Sequence, residues 1–273
     1  MKAIGFAQGQ FGDILMGTVA ARAHKLAHPD SKLICGINKK YAAILPLLKD
    51  HEYYDGIHVW DGYDNWPTSD DSIYMATSRY DKVYNPMPQH TEPYWYLHRH
   101  QTAELCLMQG LTPPENLQVS LNTKHRHADE KKGVIALALF GETRGAEKSV
   151  SLEQGRAIAA LVEKLGYIPY QIGLSTEPKI CQHRLEAPFA YSAWAMASCS
   201  ALISIDTAMC WIASAYSLPT VGLYSNEYYP MAHLAKTWQP VNPNAIYLES
   251  PKVTDIILDR IEAAIKTLNP CKS

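Results

Sequence analysis

The stretch "ALISIDTAMCWIASAYSLPTVGLYS", residues 201–225, decides how this chain folds. Its first five residues form a continuous apolar run. Asp206 and Thr207 follow, and then small and apolar residues recur at helical spacing. Pro219 closes that pattern, and "TVGLYS" reads as another buried strand. An apolar run without alternation belongs to a strand covered on both faces. Strand, helix and strand in so short a span make a parallel βαβ unit. The only carboxylate, Asp206, stands where strand gives way to helix. It reads either as a helix cap or as part of a phosphate or sugar site, since free N–H groups at a helix start attract anions.

The same alternation extends in both directions. From the start, "KAIGFA" (2–7) is a strand, "QGQFGD" a Gly-bearing loop, and "ILMGTVAARAHKLAHP" a helix ending at Pro29. "KLICGI" is a strand, "KYAAILPLLKDH" a helix limited by Pro46, and "GIHVW" a strand. Residues 61–93 are rich in Asp, Tyr, Ser and Pro, with a short strand at "KVYN". Residues 94–110 read as a helix stopped by Gly110. The polar run "LNTKHRHADEKKG" (121–133) is the natural interdomain linker. Beyond it come the strand "VIALALF" (134–140), the loop "GETRGAEKS", and the helix "SLEQGRAIAALVEKLG" with a Ser-x-x-Gln capping box. "YIPYQIG" is a strand, "AYSAWAMASCS" a helix, "NAIYL" a strand and "VTDIILDRIEAAIKTL" a final amphipathic helix. Two α/β domains are expected, 1–125 and 126–273.

The bulk composition narrows the function classes. A 273-residue chain with 47% hydrophobic and 19% charged residues is globular and long enough for two cores. Its net charge of -2 offers no general attraction to nucleic acid or membrane. "HRHQ" (98–101) and "KHRH" (124–127) are the local basic clusters, and they read as solvated surface. Six scattered cysteines without a C-x-x-C pair read as reduced thiols of a cytoplasmic protein. The N-terminus has no long apolar segment of the signal-peptide kind. No run of about 18 apolar residues suggests a membrane span. The histidines lack H-E-x-x-H or similar spacing, so no metal site is expected. Tyr is common, at 17 residues, and most of it reads as core filling.

In open parallel sheets, ligands bind at the carboxyl ends of strands. Three such ends carry suggestive residues. In the loop from Gln8 to Asp13, Gly9 and Gly12 admit close approach, and Gln10 and Asp13 bring polar groups. Asp13 reads as a helix N-cap or as a catalytic carboxylate. In "FGETRGAEKS" (140–149), Gly141 opens the loop, and Arg144 and Lys148 suit phosphate oxygens, or else form an exposed polar loop. In the third, Asp206, Thr207, Ala208 and Met209 start a helix of slim residues whose N–H groups face a ligand.

Taken in order, these segments resemble glycosyltransferase family 9, the heptosyltransferase-like enzymes. "FGDILMGTVAARAHKLAHPDSKLICGINKKYAAIL" is similar to the family's opening, with its Gly-Asp pair before the first helix. "ALALFGETRGAEKSVSLEQGRAIAALVEKLGYIPYQIG" is similar to its strand, Gly loop, Lys, helix and strand. "ASCSALISIDTAMCWIASAYSLPTVGLYS" is similar to its Asp-Thr-Gly-Pro-x-His segment. Ala208 stands for the family Gly, Met209 for the Pro and Trp211 for the His. The similarity covers about two thirds of the chain, which is shorter than typical members.

The resemblance implies an α/β fold of GT-B type: two Rossmann-like domains facing a central cleft, the N-terminal one reduced. It implies an inverting, metal-independent transfer from a nucleotide-diphosphate sugar to an acceptor hydroxyl, with no cofactor. The C-terminal domain then holds the donor through Gly141, Arg144, Lys148, Asp206, Thr207, Ala208 and Met209. Asp13 is the general base, with Gln10 and Gly12 on the acceptor side. The acceptor is a glycan, a small molecule or a modified DNA base, nucleic acid entering only as acceptor. No integral membrane association is implied. Two other readings stand beside it. One is a nucleotide-sugar epimerase or hydrolase on the same fold. The other is a degenerate GT-B protein that binds nucleotide or glycan without turnover, motivated by Ala208 and Trp211. Trp211 itself reads as packing, one turn into its helix.

Overall fold

The computed structural model describes residues 1–7, 10–60, 79–84, 99–122, 131–141, 148–227 and 237–272. The chain divides into two compact units, Met1–Lys124 and His125–Ser273.

The first unit contains β1 (Lys2–Ala7), α1 (Phe11–Ala27), β2 (Lys32–Asn38), α2 (Leu45–Leu48), β3 (Gly56–Trp60), β4 (Lys82–Tyr84) and α3 (Gln101–Met108). Its strands are all parallel, in the order β3-β2-β1-β4. Helix α1 buries Ile14, Leu15 and Val19 on one face and small Ala20, Ala21 and Ala23 beside them. It ends at His28 because Pro29 cannot extend it. His24 is 1% exposed and ties α1 to its surroundings. Its Nδ1 lies 2.9 Å from the Tyr84 hydroxyl on β4, and its Nε2 lies 2.6 Å from Ser31 Oγ.

Two helices of this unit depart from the sequence reading. "KYAAILPLLKDH" is not one helix but a 3-10 segment, Lys39–Ile44, bent at Tyr41, followed by the single turn α2. Pro46 explains the break. A proline fits the first turn of a helix, where its missing N–H has no partner to lose, but not the interior of a longer one. The helix expected from residue 94 begins at Gln101, because His100 is extended and caps it, Nδ1 accepting from the Thr102 N–H at 3.3 Å. The part of that expectation at 94–98 lies outside the described residues.

The second unit contains β5 (Lys131–Ala138), α4 (Leu152–Lys164), β6 (Ile168–Ile172), β7 (His183–Leu185), α5 (Phe189–Ala197), β8 (Cys199–Ile205), α6 (Ala208–Ala215), β9 (Thr220–Ser225), β10 (Ala245–Ser250) and α7 (Leu258–Leu268). The six strands are parallel, in the order β10-β9-β8-β5-β6-β7. Counted within the unit, that is the Rossmann order 3-2-1-4-5-6. The core joins Ile135 and Leu137 of β5, Ile203 and Ile205 of β8, and Val221 and Leu223 of β9. Ile158 and Val162 of α4 and Ile261 and Ile265 of α7 complete it. Burial on both faces is why these strands read as continuous apolar runs.

Gln154 corrects two expectations. The Ser151 half of the capping box forms, its Oγ accepting from the Gln154 N–H at 3.0 Å. The Gln154 side chain does not return to Ser151. Its Nε2 donates to the carbonyls of Val253 (3.2 Å) and Ile256 (3.1 Å). With these carbonyls satisfied from outside, residues 253–268 need not form one helix. They split into a 3-10 turn, Val253–Asp255, an extended Ile256–Ile257 and α7. Strand β7 was not expected: three residues are too few for a period to show.

Candidate functional site

In the second unit β5 and β8 lie side by side, yet their crossovers run in opposite directions, from β5 to β6 and from β8 to β9. Such a switch point leaves a crevice at the carboxyl ends, where open α/β sheets bind ligands. The residues at those ends are the ones singled out in sequence. Gly141 follows β5, and its N–H donates to Ser149 Oγ at 3.1 Å. A Cβ on Gly141 would lie 3.5 Å from Ile205 Cδ1, an ordinary contact, so local space does not demand glycine. Lys148 returns from the same loop. Its Nζ stands 2.7 Å from Asp206 Oδ2, at the end of β8, with side-chain exposures of 18% and 16%. Arg144 lies outside the described residues.

Helix α6 starts directly after Asp206. Its cap is Thr207 rather than Asp206, with Thr207 Oγ1 accepting from the Met209 N–H at 3.3 Å. The carboxylate of Asp206 is engaged with Lys148 instead. Ala208 and Met209 are half-buried in the first turn. Trp211 is 5% exposed and packs into the unit. Ser204, on β8, was not singled out from sequence, though it is the one hydroxyl in an apolar run. It is fully buried, and its Oγ lies 3.1 Å from Thr207 Oγ1.

The first unit has its own switch point, between β1 and β4. Gln8 and Gly9, in the loop after β1, lie outside the described residues. Gln10 is the N-cap of α1, and Gly12 and Asp13 are half-buried in its first turn. Asp13 is therefore not the N-cap. It is the third helical residue, and its Oδ2 accepts from the Gln10 N–H at 2.7 Å. The capping reading fails by three positions because the helix starts at Phe11 rather than Ile14. A carboxylate there suits the positive end of the helix.

Among the described residues no group of three or more His, Cys, Asp or Glu could hold a metal ion. No described helix is long and apolar enough to cross a membrane. Cys35, Cys106, Cys199 and Cys210 are unpaired and buried, and burial pushes each thiol up to about 12, so they are poor nucleophiles.

No family model matches the chain, and no curated protein matches it by sequence. Solved structures do. A family 9 glycosyl transferase from Veillonella parvula superposes with a TM-score of 0.72 at 16% identity, covering 98% of this chain and 96% of that one. The ADP-heptose LPS heptosyltransferase II of E. coli gives 0.72 at 15% identity, covering 98% of each chain. The E. coli heptosyltransferase WaaC, solved with ADP-2-deoxy-2-fluoro heptose, gives 0.71 at 14% identity, covering 98% and 99%.

The chain has the GT-B fold of glycosyltransferase family 9. In this GT-B chain the two Rossmann-like units each carry a loop-to-helix junction at a switch point. One presents Asp13, and the other presents Lys148, Asp206 and the start of α6.

Proposed function

We propose that this chain is an inverting glycosyltransferase that takes a sugar from a nucleotide-diphosphate sugar without a metal ion. The observation that carries the reading is the Lys148–Asp206 pair beside the N-terminus of α6, at the switch point of the second unit. A departing diphosphate gathers negative charge. A lysine and the first-turn N–H groups of a helix stabilise that charge where many transferases use a divalent cation. Asp206 holds the lysine and reaches the donor sugar. One structural neighbour is an ADP-heptose heptosyltransferase and another is a heptosyltransferase solved with an ADP-heptose analogue, which supports a nucleotide sugar as donor here.

Asp13 is the base in this proposal. The bond between the anomeric carbon and the diphosphate oxygen breaks as the acceptor oxygen attacks from the opposite face, which inverts the centre. The hydroxyl proton passes to the Asp13 carboxylate. A carboxylate is a weak base for an alcohol, and it serves because the proton moves only as the new bond forms. The acceptor is a hydroxyl on a glycan, a small molecule or a modified DNA base.

The test is a thermal-shift panel of ADP, UDP, GDP, CDP and dTDP in the presence of a chelator. A ligand bound only by the native state stabilises it by about 2.7 kcal/mol at a hundredfold excess over Kd. One nucleotide is expected to raise Tm clearly. No shift with any of the five, on folded protein, overturns the donor assignment. A second reading rests on Trp211, a buried indole where the family has His. It is a GT-B protein that binds nucleotide without turnover, and it predicts a thermal shift with no sugar consumed.

A further inference from the structure

Ser204 is a fully buried hydroxyl at the switch point. It sits on β8 opposite Ala138, the last residue of β5, in the parallel ladder. Its Oγ lies 3.1 Å from the Ala138 carbonyl, 2.8 Å from the Ile205 carbonyl and 3.1 Å from Thr207 Oγ1. Carbonyl oxygens only accept, and a serine has one proton to give. Two carbonyls within reach of Ser204 Oγ favour giving its proton to one of them, with the Thr207 hydroxyl donating to Ser204 Oγ. Thr207 Oγ1 in turn receives the Met209 N–H.

We propose that Ser204 is a positioning residue for the donor site: by accepting the hydrogen bond of the Thr207 hydroxyl it turns the free lone pairs of Thr207 to the helix start, leaving backbone N–H groups to meet the anion. The inference rests on the donor-site reading above. It makes a specific statement about Thr207, whose hydroxyl would otherwise be taken for a phosphate donor. In this arrangement that hydroxyl has no proton left for a ligand. Its work is to hold the first turn of α6 in register with the end of β5, from which the Lys148 loop departs. The buried hydroxyl thus links the two halves of the anion site beside the Lys148–Asp206 pair.

The test is a double-mutant cycle read in nucleotide affinity by calorimetry, using whichever of the five nucleoside diphosphates the unaltered chain binds. Ser204→Ala is expected to weaken binding about fivefold, the size of one ordinary hydrogen bond. Thr207→Val is expected to weaken it similarly, and Thr207→Ser to restore it. Adding Ser204→Ala to Thr207→Val is expected to cost nothing further, since the relay is already cut. Ser204→Cys, which keeps the volume and a weak donor, is expected to fall between and guards against a variant that fails to fold. Unchanged affinity in Ser204→Ala, or fully additive losses in the double variant, overturns the inference while leaving the donor site intact. An unaltered chain that binds none of the five nucleotides overturns both.

Discussion

Lys148 and Asp206 stand 58 residues apart in sequence and 2.7 Å apart in space, joining the loop after β5 to the end of β8. Neither is fully buried, and neither is freely solvated. An ion pair so placed contributes to stability and leaves its cation at the proposed donor site. Its desolvation cost limits the stabilisation.

Replacing either partner leaves the other charge half-buried. Lys148→Met and Asp206→Asn are each expected to lower stability by about 1–2 kcal/mol, and the double variant by less than the sum. Denaturant midpoints for the three variants measure the coupling. Lys148→Met is also expected to weaken nucleotide binding about tenfold, the loss of one charge-assisted contact. Unchanged nucleotide affinity would remove Lys148 from the donor site.

Asp13 holds the start of α1 and is also the proposed general base. Asp13→Ala removes the acceptor for the Gln10 N–H and is expected to cost α1 about 0.5–1 kcal/mol. Asp13→Asn keeps an acceptor oxygen and is expected to recover most of that stability. Both variants are expected to abolish sugar transfer and to leave nucleotide binding unchanged. Turnover surviving in Asp13→Asn would sink the general-base role.

Acid should loosen the first unit ahead of the second. Burial pushes the His24 imidazole down from 6.5 to about 4, with His28 and Lys25 acting in the same direction and Asp55 against it. The unfolded chain takes up this proton near 6.5, and the folded chain only near 4. The stability at stake is fully present above 6.5 and is lost as pH falls toward 4, by about 3 kcal/mol at most. Burial lowers His51, in the same unit, in the same sense. Hydrogen exchange in α1 should accelerate over that window before exchange in β5 and β8 does. His24→Gln should flatten the dependence, and an equally steep profile in that variant would clear His24 of the effect.

Gly222, in β9, lies under the ring of Tyr247. A Cβ there would overlap Tyr247 Cδ1, and the ring cannot easily move, since its hydroxyl donates to the Pro240 carbonyl at 2.6 Å. Gly222→Ala is expected to destabilise the chain by about 2–3 kcal/mol. Gly5→Ala, in β1, meets nothing within 4 Å and serves as the contrast. Equal midpoints for the two variants would show that Tyr247 yields.

Strand β9 was legible to the residue as "TVGLYS", because both its faces are covered and turn residues bound it. The start of α1 was not. Phe11 and Gly12 carry no helical signal of their own, and the register depends on Gln10 acting as cap. The 253–257 break was invisible as well, since the side chain that satisfies those carbonyls comes from Gln154, about a hundred residues away. For the site, the carboxyl-end rule located Lys148 and Asp206 in separate loops, and the β5–β8 adjacency brings them together. Ser204 escaped notice because a serine among apolar strand residues looks like a small filler until its neighbours are known.

The pairing of β5 with β8 also bears on how the second unit comes into being. Ala138 and Ser204 are 66 positions apart, and β6, β7, α4 and α5 lie between them in the chain. Closing so long a loop costs entropy before any contact returns it, so this pairing is expected to form late along the route to the native state. The crevice between the two strand ends therefore exists only once that step is complete. A chain still partway to its native state, whether newly synthesised or refolding from denaturant, lacks the junction proposed to hold the donor. Nucleotide added during refolding is expected to slow the reverse reaction and to leave the forward rate unchanged.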